Sequence, residues 1–547
     1  MSGRPFSLPH RPLPESDRPP RLARISDYPA HWASIDPVRE AVVFEGSRWS
    51  YHELADRVDR CARALLACGV ARGDRVATLS PPHPDFYVTF LATASIGAIW
   101  LGLNPRYQLP ELEYVAGDAT PRLLFARSRI GERDYAGELA ALKAGVASLE
   151  RIVVLDGENA SSSGISYRDF LAGGERVTDA DLRARRDVVG GREPCLIVYT
   201  SGTTGKPKGA VIHHYGLVHV ARVQHAIWPV PALRVVNNLP INHIGCVGDI
   251  TCDTLVPGGT IVFQEQFDPD GMLRLVEEER LTFFGHVPTV LQLITVRPAF
   301  DRTDFSSVDV IIWEGAAAPP ALVEKLRTKC PALANAYGMT ETVGSVTFTF
   351  DTDDPDVLAD SIGWPVPEYG VRIADQDDRP VEPGQPGEIQ VHGDFMTVGY
   401  WQRPEATADL FTADRWLRTG DLAVERPDGA YKLIGRLKEM FKSGGYNVYP
   451  REIEQVLEEH PAVGIAAVLG VPDPLYQEVG HAFILLNPGS RVSAEELRIH
   501  CRSRLANYKV PKHYSVETAL PMLPIGKVDK QALKLGSRKP EVGNREH

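Results

Sequence analysis

The chain has 547 residues, 43% of them hydrophobic and 24% charged, a balance that implies a globular protein of roughly two to four domains. Its formal net charge of −12 excludes a nucleic-acid partner gripped by a broad basic surface. No apolar run reaches the roughly eighteen residues of a membrane-spanning helix.

Residues 1–28 have no apolar signal region, and the prolines of "MSGRPFSLPHRPLPESDRPPRLARI" forbid an amphipathic transit helix. This segment is expected to be disordered or to lie along the surface. The seven cysteines, at 61, 68, 195, 246, 252, 330 and 501, lack CxxC or Cys/His ligand spacing, so they read as reduced thiols of a cytoplasmic protein.

From Trp49 to Val287 helical and buried-strand patterns alternate. "WSYHELADRVDRCARALL" opens with Ser50 and Glu53 at capping-box spacing and keeps Leu54, Val58, Cys61, Ala62 and Leu65 on one face. The runs "RVATL", "RLLFA", "CLIVYT", "TIVF" and "VDVIIW" read as strands, and their separation by helices predicts doubly wound α/β sheets. Beyond Asp351, alternation and turn residues in "GVRIADQDDRPVEPGQPGEIQVHG" predict a small antiparallel β subdomain. Beyond Gly435, "PREIEQVLEEH", "VGIAAVLGV", "HAFILLN" and "SAEELRIHCRSRLANY" predict a compact α+β domain. The fold class is therefore α/β: a large N-terminal portion of two doubly wound subdomains plus a β subdomain over residues 29–435, then a small mobile C-terminal domain over residues 436–540.

The stretch from Tyr199 to Ala210, "YTSGTTGKPKGA", has the composition of a phosphate loop. A hydrolase loop needs G-x-x-x-x-G-K-[ST], with its lysine opening a helix. Here only two residues separate Gly202 from Gly205, and Pro207 pushes Lys206 out of the helical region, so that geometry is excluded. Glycines that admit close backbone approach, the hydroxyls of Ser201, Thr203 and Thr204, and the charges of Lys206 and Lys208 still make an anion cradle.

Five further stretches follow in order: "NAYGMTET" (335–342), "GEIQVHGDFMTVGYW" (387–401), "WLRTGDLA" (416–423), "GRLKEMFKSGGYNVYPREIE" (435–454) and "LPIGKVDKQALK" (523–534). Together with "YTSGTTGKPKGA" they resemble the adenylate-forming superfamily of acyl-CoA synthetases, luciferases and peptide-synthetase adenylation domains. The resemblance runs from Trp49 to Lys534 and is strongest to fatty-acid and aryl-acid CoA ligases.

The resemblance implies a carboxylate–CoA ligase. A small-molecule carboxylic acid attacks the α-phosphorus of ATP, giving acyl-adenylate and pyrophosphate, and coenzyme A then displaces AMP. Thr200, Ser201, Gly202, Thr203, Thr204, Gly205 and Lys208 are expected around the β- and γ-phosphates. Tyr337, Gly338 and the small residues Gly315, Ala316 and Ala317 frame the adenine, and Asp421 with Arg436 takes the ribose. Thr340 meets the α-phosphate, Glu341 ligates Mg²⁺, and Lys527 bridges carboxylate and α-phosphate in the transition state. Lys438 is the expected hinge, and Lys442, Gly444 and Gly445 serve the pantetheine arm of coenzyme A. Lys530 and Lys534 are expected in solvent.

His243, Gly245 and Gly338 are expected to line the site of the acid, read as hydrophobic (fatty, aryl or alicyclic). Glu314 departs from the family pattern: it precedes the adenine slot where relatives carry Ser, Gly or Tyr. A carboxylate there either turns to a protein donor or accepts a hydrogen bond from the acid. The alternative functions are a ligase that loads a carrier protein and a non-catalytic acid sensor. A homodimer is left open.

Overall fold

The computed structural model describes residues 9, 11–157, 164–200, 206–315, 317–350, 352, 354–523 and 527–536. Among them, two large sheets form the N-terminal portion. In the eight-stranded sheet the strands Pro194–Thr200, Ile99–Leu103, Arg75–Leu79, Leu123–Ala126, Arg151–Val154 and Ile165–Ser166 run parallel, and Lys208–His213 and Gly399–Tyr400 continue it antiparallel. In the nine-stranded sheet Leu333–Met339, Val310–Glu314, Phe283–His286, Arg234–Asn237, Thr260–Phe263 and Glu40–Phe44 run parallel. Strands Gly344–Phe348 and Trp364–Pro365 extend one edge antiparallel. Each strand predicted from a short apolar run lies in one of these two sheets, because a strand covered on both faces needs an unbroken apolar run.

The predicted capping box holds. Ser50 accepts from the Glu53 amide and the Glu53 carboxylate accepts from the Ser50 amide, which fixes the start of helix Tyr51–Ala67. That helix buries Leu54, Val58, Cys61, Ala62 and Leu65, the face expected from the sequence. The β subdomain is a four-stranded antiparallel sheet of Gly370–Ala374, Gly387–His392, Leu417–Glu425 and Tyr431–Arg436.

The C-terminal unit packs helices Pro450–Glu458 and Ala494–Arg502 on a sheet built around the long hairpin Val463–Asp473 and Gln477–Leu486. The second of these helices ends at Arg502, well short of the run to Tyr508 that the sequence pattern suggested. All seven cysteines are free thiols, and among the described residues no helix is long and apolar enough to cross a membrane.

The N-terminal segment from Arg11 onward is held against the body. The Leu13 amide donates to the Ala226 carbonyl at 2.7 Å. Arg222, 4% exposed, donates from Nε to the Pro19 carbonyl at 2.7 Å and pairs with Glu15. Both partners belong to helix His214–Ile227, so the segment lies over the outer side of that helix.

Candidate active site

The candidate site lies where parallel strands of the nine-stranded sheet end at their carboxyl edges, the usual place for a ligand in an α/β sheet. Strands Val310–Glu314 and Leu333–Met339 are neighbours in register, Glu314 beside Ala336, so the turn after the first and Tyr337 in the second emerge side by side. Gly315 has φ +85°, and a Cβ there would come within 2.9 Å of Lys527 Cε. The lysine of the C-terminal domain thus reaches across the domain boundary and lies on Gly315.

Asp421 and Arg436 are directly paired residues of adjacent antiparallel strands, with Arg436 Nε 2.8 Å from Asp421 Oδ1. The other carboxylate oxygen accepts from Tyr337 Oη at 2.8 Å. Asp421, 2% exposed, is thereby held from both sides. Burial, followed by the charge of Arg436, draws the Lys527 ammonium down to about 8, against Asp421, Glu314 and Glu439, which favour its charged form.

Thr340 opens a single 3-10 turn, Thr340–Thr342, which the Thr342 hydroxyl closes by bonding Met339 and Gly344. Glu341 in this turn is 4% exposed and accepts from Tyr400 Oη at 2.7 Å. Burial raises its carboxyl, and the Tyr400 hydrogen bond opposes the rise. Lys208 stands over the other side of this tyrosine, its Nζ 5.2 Å from the ring centroid. Strands Pro194–Thr200 and Lys208–His213 pair Thr200 with Lys208 and so bring together the two ends of the glycine-rich loop. Ser201, Gly202, Thr203, Thr204 and Gly205 lie outside the described residues, as does Ala316; Ala317 is half-buried.

His243 follows the strand Arg234–Asn237, and its Nδ1 accepts from the Gly245 amide at 3.0 Å. The proton of the neutral ring is therefore on Nε2, which is left as a donor. Burial, then the nearby Lys527 charge, pulls the imidazole down to about 4 and keeps it neutral. A Cβ on Gly245 would sit 3.0 Å from that Nδ1, so the glycine serves the amide–imidazole contact. Gly338 is a glycine for a comparable reason: an added Cβ would come within 2.0 Å of the Gly344 carbonyl on the neighbouring strand.

Glu314 is half-buried with a hydrogen bond to Ser345, and the desolvation of its carboxyl pushes it up to about 7, against that bond and the charge of Lys527. Its Oε1 has no hydrogen-bond partner among the described residues. Of the two outcomes foreseen for Glu314, a protein donor takes one oxygen and leaves the other open.

Lys442, Gly444 and Gly445 are not brought to the site. They are exposed on the hairpin Phe441–Ser443 and Tyr446–Val448 of the C-terminal domain, where the Gly444 amide donates to the Tyr476 carbonyl. Lys438 is exposed in the turn between Arg436 and Phe441. Lys530 is corrected: far from being solvated, it bridges Glu439 and Glu454 at 2.5 and 2.8 Å, while Lys534 is exposed. Asp529 caps the helix that carries both lysines, accepting from the amides of Gln531 and Ala532. Tyr400 escaped the sequence reading although it stands in "GYW", because its distance from Glu341 along the chain hides their contact.

The donor set suits a nucleotide and a hard cation. Among the described residues no cluster of three or more His, Cys, Asp or Glu side chains could hold a metal by itself. One buried carboxylate, Glu341, in the turn Thr340–Thr342 fits a Mg²⁺ ion that would draw its remaining ligands from phosphate and water.

The chain matches the AMP-binding enzyme family over residues 30–401 and the AMP-binding enzyme C-terminal domain over residues 452–527. It is 36% identical over 513 residues to a feruloyl-CoA synthase of an Amycolatopsis species, covering 92% of this chain and 97% of that protein. It is 33% identical over 512 residues to an indoleacetate–CoA ligase of Aromatoleum aromaticum, covering 93% and 97%. ATP-bound MatB from Rhodopseudomonas palustris shares the fold with a TM-score of 0.83 at 29% identity, over 95% of this chain and 99% of that one. With its six motifs in order and both halves of the fold present, the chain belongs to the AMP-binding enzyme family.

Proposed function

We propose that the protein is an AMP-forming carboxylate–CoA ligase that takes ATP, coenzyme A and a small-molecule acid. The observation that carries this reading is Lys527 lying over Gly315, beside the paired Asp421 and Arg436 and the neutral His243. A cation placed there meets the acid's carboxylate and the α-phosphate at once, where negative charge crowds as the acyl–phosphate bond forms.

Asp421, an acceptor on both oxygens, and Arg436 hold the ribose hydroxyls. Tyr337, Gly315, Ala316 and Ala317 border the adenine, and Gly338 keeps the adjoining strand crossing close. Thr340 donates to the α-phosphate, and the His243 Nε2–H orients the incoming carboxylate without adding charge. Thr200, residues 201–205 and Lys208 hold the β- and γ-phosphates so that pyrophosphate leaves as a unit. Glu341, steadied by Tyr400, is the residue that would hold Mg²⁺, which when bound neutralises phosphate charge.

For the second half-reaction the C-terminal domain pivots at Lys438 and carries Lys527 away. Gly444 and Gly445 then present a side-chain-free passage to the pantetheine arm, with Lys442 beside it. The coenzyme A thiolate attacks the acyl carbon, the acyl–phosphate bond breaks, and AMP leaves. With substrates of this kind and free thiols at every cysteine, the reaction belongs in the cytoplasm.

The test supplies ATP, Mg²⁺, coenzyme A and a panel of fatty, aryl and alicyclic acids, and measures both AMP and thioester. Thioester formed in step with AMP supports the ligase. Pyrophosphate exchange without thioester would instead favour a carrier-protein acceptor, and no exchange with any acid would favour a sensor.

A further inference from the structure

Beyond His243, the chain enters a wide helical turn, Gly245–Cys252, which runs on into Asp253–Leu255. Asp249 and Asp253 lie four residues apart there and so share one face. They point into a cavity of about 20 Å³ that is also lined by Gln224, His225, Trp228 and Phe283. A space of this size holds one water-sized group.

The polar atoms facing the cavity are unusual for a protein interior. Asp249 Oδ1, Asp253 Oδ2, Gln224 Oε1 and His225 Nδ1 are buried with no hydrogen-bond partner among the described residues. Gln224 and Asp253 are each only 6% exposed. Among the described residues, the groups acting on this pair include no cation: burial keeps His225 neutral, at about 4, and burial followed by the charges of neighbouring carboxylates, Glu314 among them, holds Asp249 and Asp253 well above the usual carboxylate range, opposed at Asp253 only by a hydrogen bond from Gln224. The acidic wall adjoins the reaction centre: a Cβ on Gly344 would lie 2.5 Å from Asp249 Oδ1, and the next residue, Ser345, pairs with Gly338 and hydrogen-bonds Glu314. Buried acceptors of this kind are costly when left unmatched.

The complement of three acceptor oxygens is a group with several donors and a positive charge. An ammonium offers three N–H bonds and fits a water-sized space. A hydroxyl offers one donor, and a methyl group offers none. The rise from Gly245 to Asp253 is on the order of 10 Å, which sets the reach from the carboxylate end to this cavity.

We propose that Asp249 and Asp253, with Gln224, select a carboxylic acid that bears a protonated amine at the end remote from its carboxylate. The inference rests on the ligase reading and names the substrate class of the same site. The acid keeps an apolar body between its two ends, and its ammonium gives Asp249 and Asp253, whose carboxyls burial otherwise holds well above the usual range, a charge against which they release their protons to solvent.

The experiment compares ω-amino, ω-hydroxy and unsubstituted straight-chain acids of matched length on the full chain. Two readouts are taken: equilibrium binding of each acid without ATP, and kcat/KM for thioester formation. The ω-amino acid is expected to lead the unsubstituted acid by about 10-fold or more in both, over the length that spans the site. Asp249→Asn and Asp253→Asn, each isosteric, are expected to lower that ratio about 10-fold. A lead for the hydroxy or unsubstituted acid, or a ratio that neither substitution changes, overturns the proposal. Binding that ranks the ω-amino acid first without any thioester would sink the ligase reading and leave this selection standing. Thioester formed fastest from the unsubstituted acid would do the reverse.

Discussion

Lys530 holds Glu439, with Nζ 2.5 Å from the carboxylate, and the same ammonium reaches Glu454 at 2.8 Å. Glu439 immediately follows Lys438, so the chain beyond the turn is bound to the C-terminal domain. On the other side, Leu437 donates its amide to the Gly420 carbonyl at 2.9 Å and Arg436 pairs with Asp421, both in the β subdomain. Lys438 is the residue between these two clamps, which is the position the proposed pivot would need. Lys530→Met should destabilise the C-terminal domain by about 3 kcal/mol, because buried Glu454 loses a cation, whereas Glu439→Gln should cost about 1 kcal/mol. Urea unfolding followed through the C-terminal domain measures both. Equal losses would mean that Glu454 does not depend on Lys530.

Lys527→Ala should lower the rate of ATP–pyrophosphate exchange by about 100-fold or more while leaving ATP binding within a few-fold. Thioester formation from a preformed acyl-adenylate should keep its rate if, as proposed, the C-terminal domain has by then carried the lysine out of the site. A parallel loss in both half-reactions would assign Lys527 to the fold.

The ionisation of Lys527 gives the pH profile a sign. Its ammonium, the working form in the proposed mechanism, is held down to about 8, so it is lost as pH rises through that value. The kcat/KM for ATP in the adenylation step should therefore fall above about pH 8. Lys527→Arg should be slower and should lack this alkaline limb, since a guanidinium keeps its proton.

Asp421 joins Tyr337 to Arg436, so substitutions at these residues should not add. Asp421→Asn should raise the KM for ATP on the order of 10-fold, and Tyr337→Phe should raise it about 5-fold, near the worth of one hydrogen bond. The double variant should fall short of the product, and full additivity would show that the Tyr337–Asp421 bond at 2.8 Å contributes nothing.

Two glycines, Gly338 in the site and Gly445 on the hairpin outside it, should behave in opposite ways. Gly338→Ala forces a Cβ to within 2.0 Å of the Gly344 carbonyl and should cost about 3 kcal/mol of stability or more, whatever ligand is present. Gly445 has φ +86° with open space around it, so Gly445→Ala should cost about 1 to 2 kcal/mol and leave the fold intact. In that variant thioester formation should slow while pyrophosphate exchange persists. Thermal unfolding together with the two half-reaction assays separates these outcomes.

The parts legible in the sequence were those written in contiguous residues. Ser50 and Glu53 announce a helix start three residues apart, and "VDVIIW" announces a buried strand that the structure places at Val310–Glu314. Asp421 and Arg436 also follow from motifs, though only the register of two antiparallel strands shows that they face one another. Tyr400 on Glu341 and Lys530 on Glu439 join residues 59 and 91 positions apart, beyond any local pattern. Asp249 and Asp253 were hidden for another reason. In sequence they are acidic residues in a helical run, and only the packing of Gln224, Trp228 and Phe283 around them makes their unpartnered oxygens a site.

The N-terminal segment has a consequence for handling the protein. Leu13, Glu15 and Pro19 fasten the outer side of helix His214–Ile227, whose inner side carries Gln224 and His225 into the cavity. A shortened form beginning at Ser26 would strip Arg222 of two partners and loosen the cavity wall from behind. Such a form would give a misleading ranking of acids while still making adenylate, so substrate screening calls for the intact amino terminus.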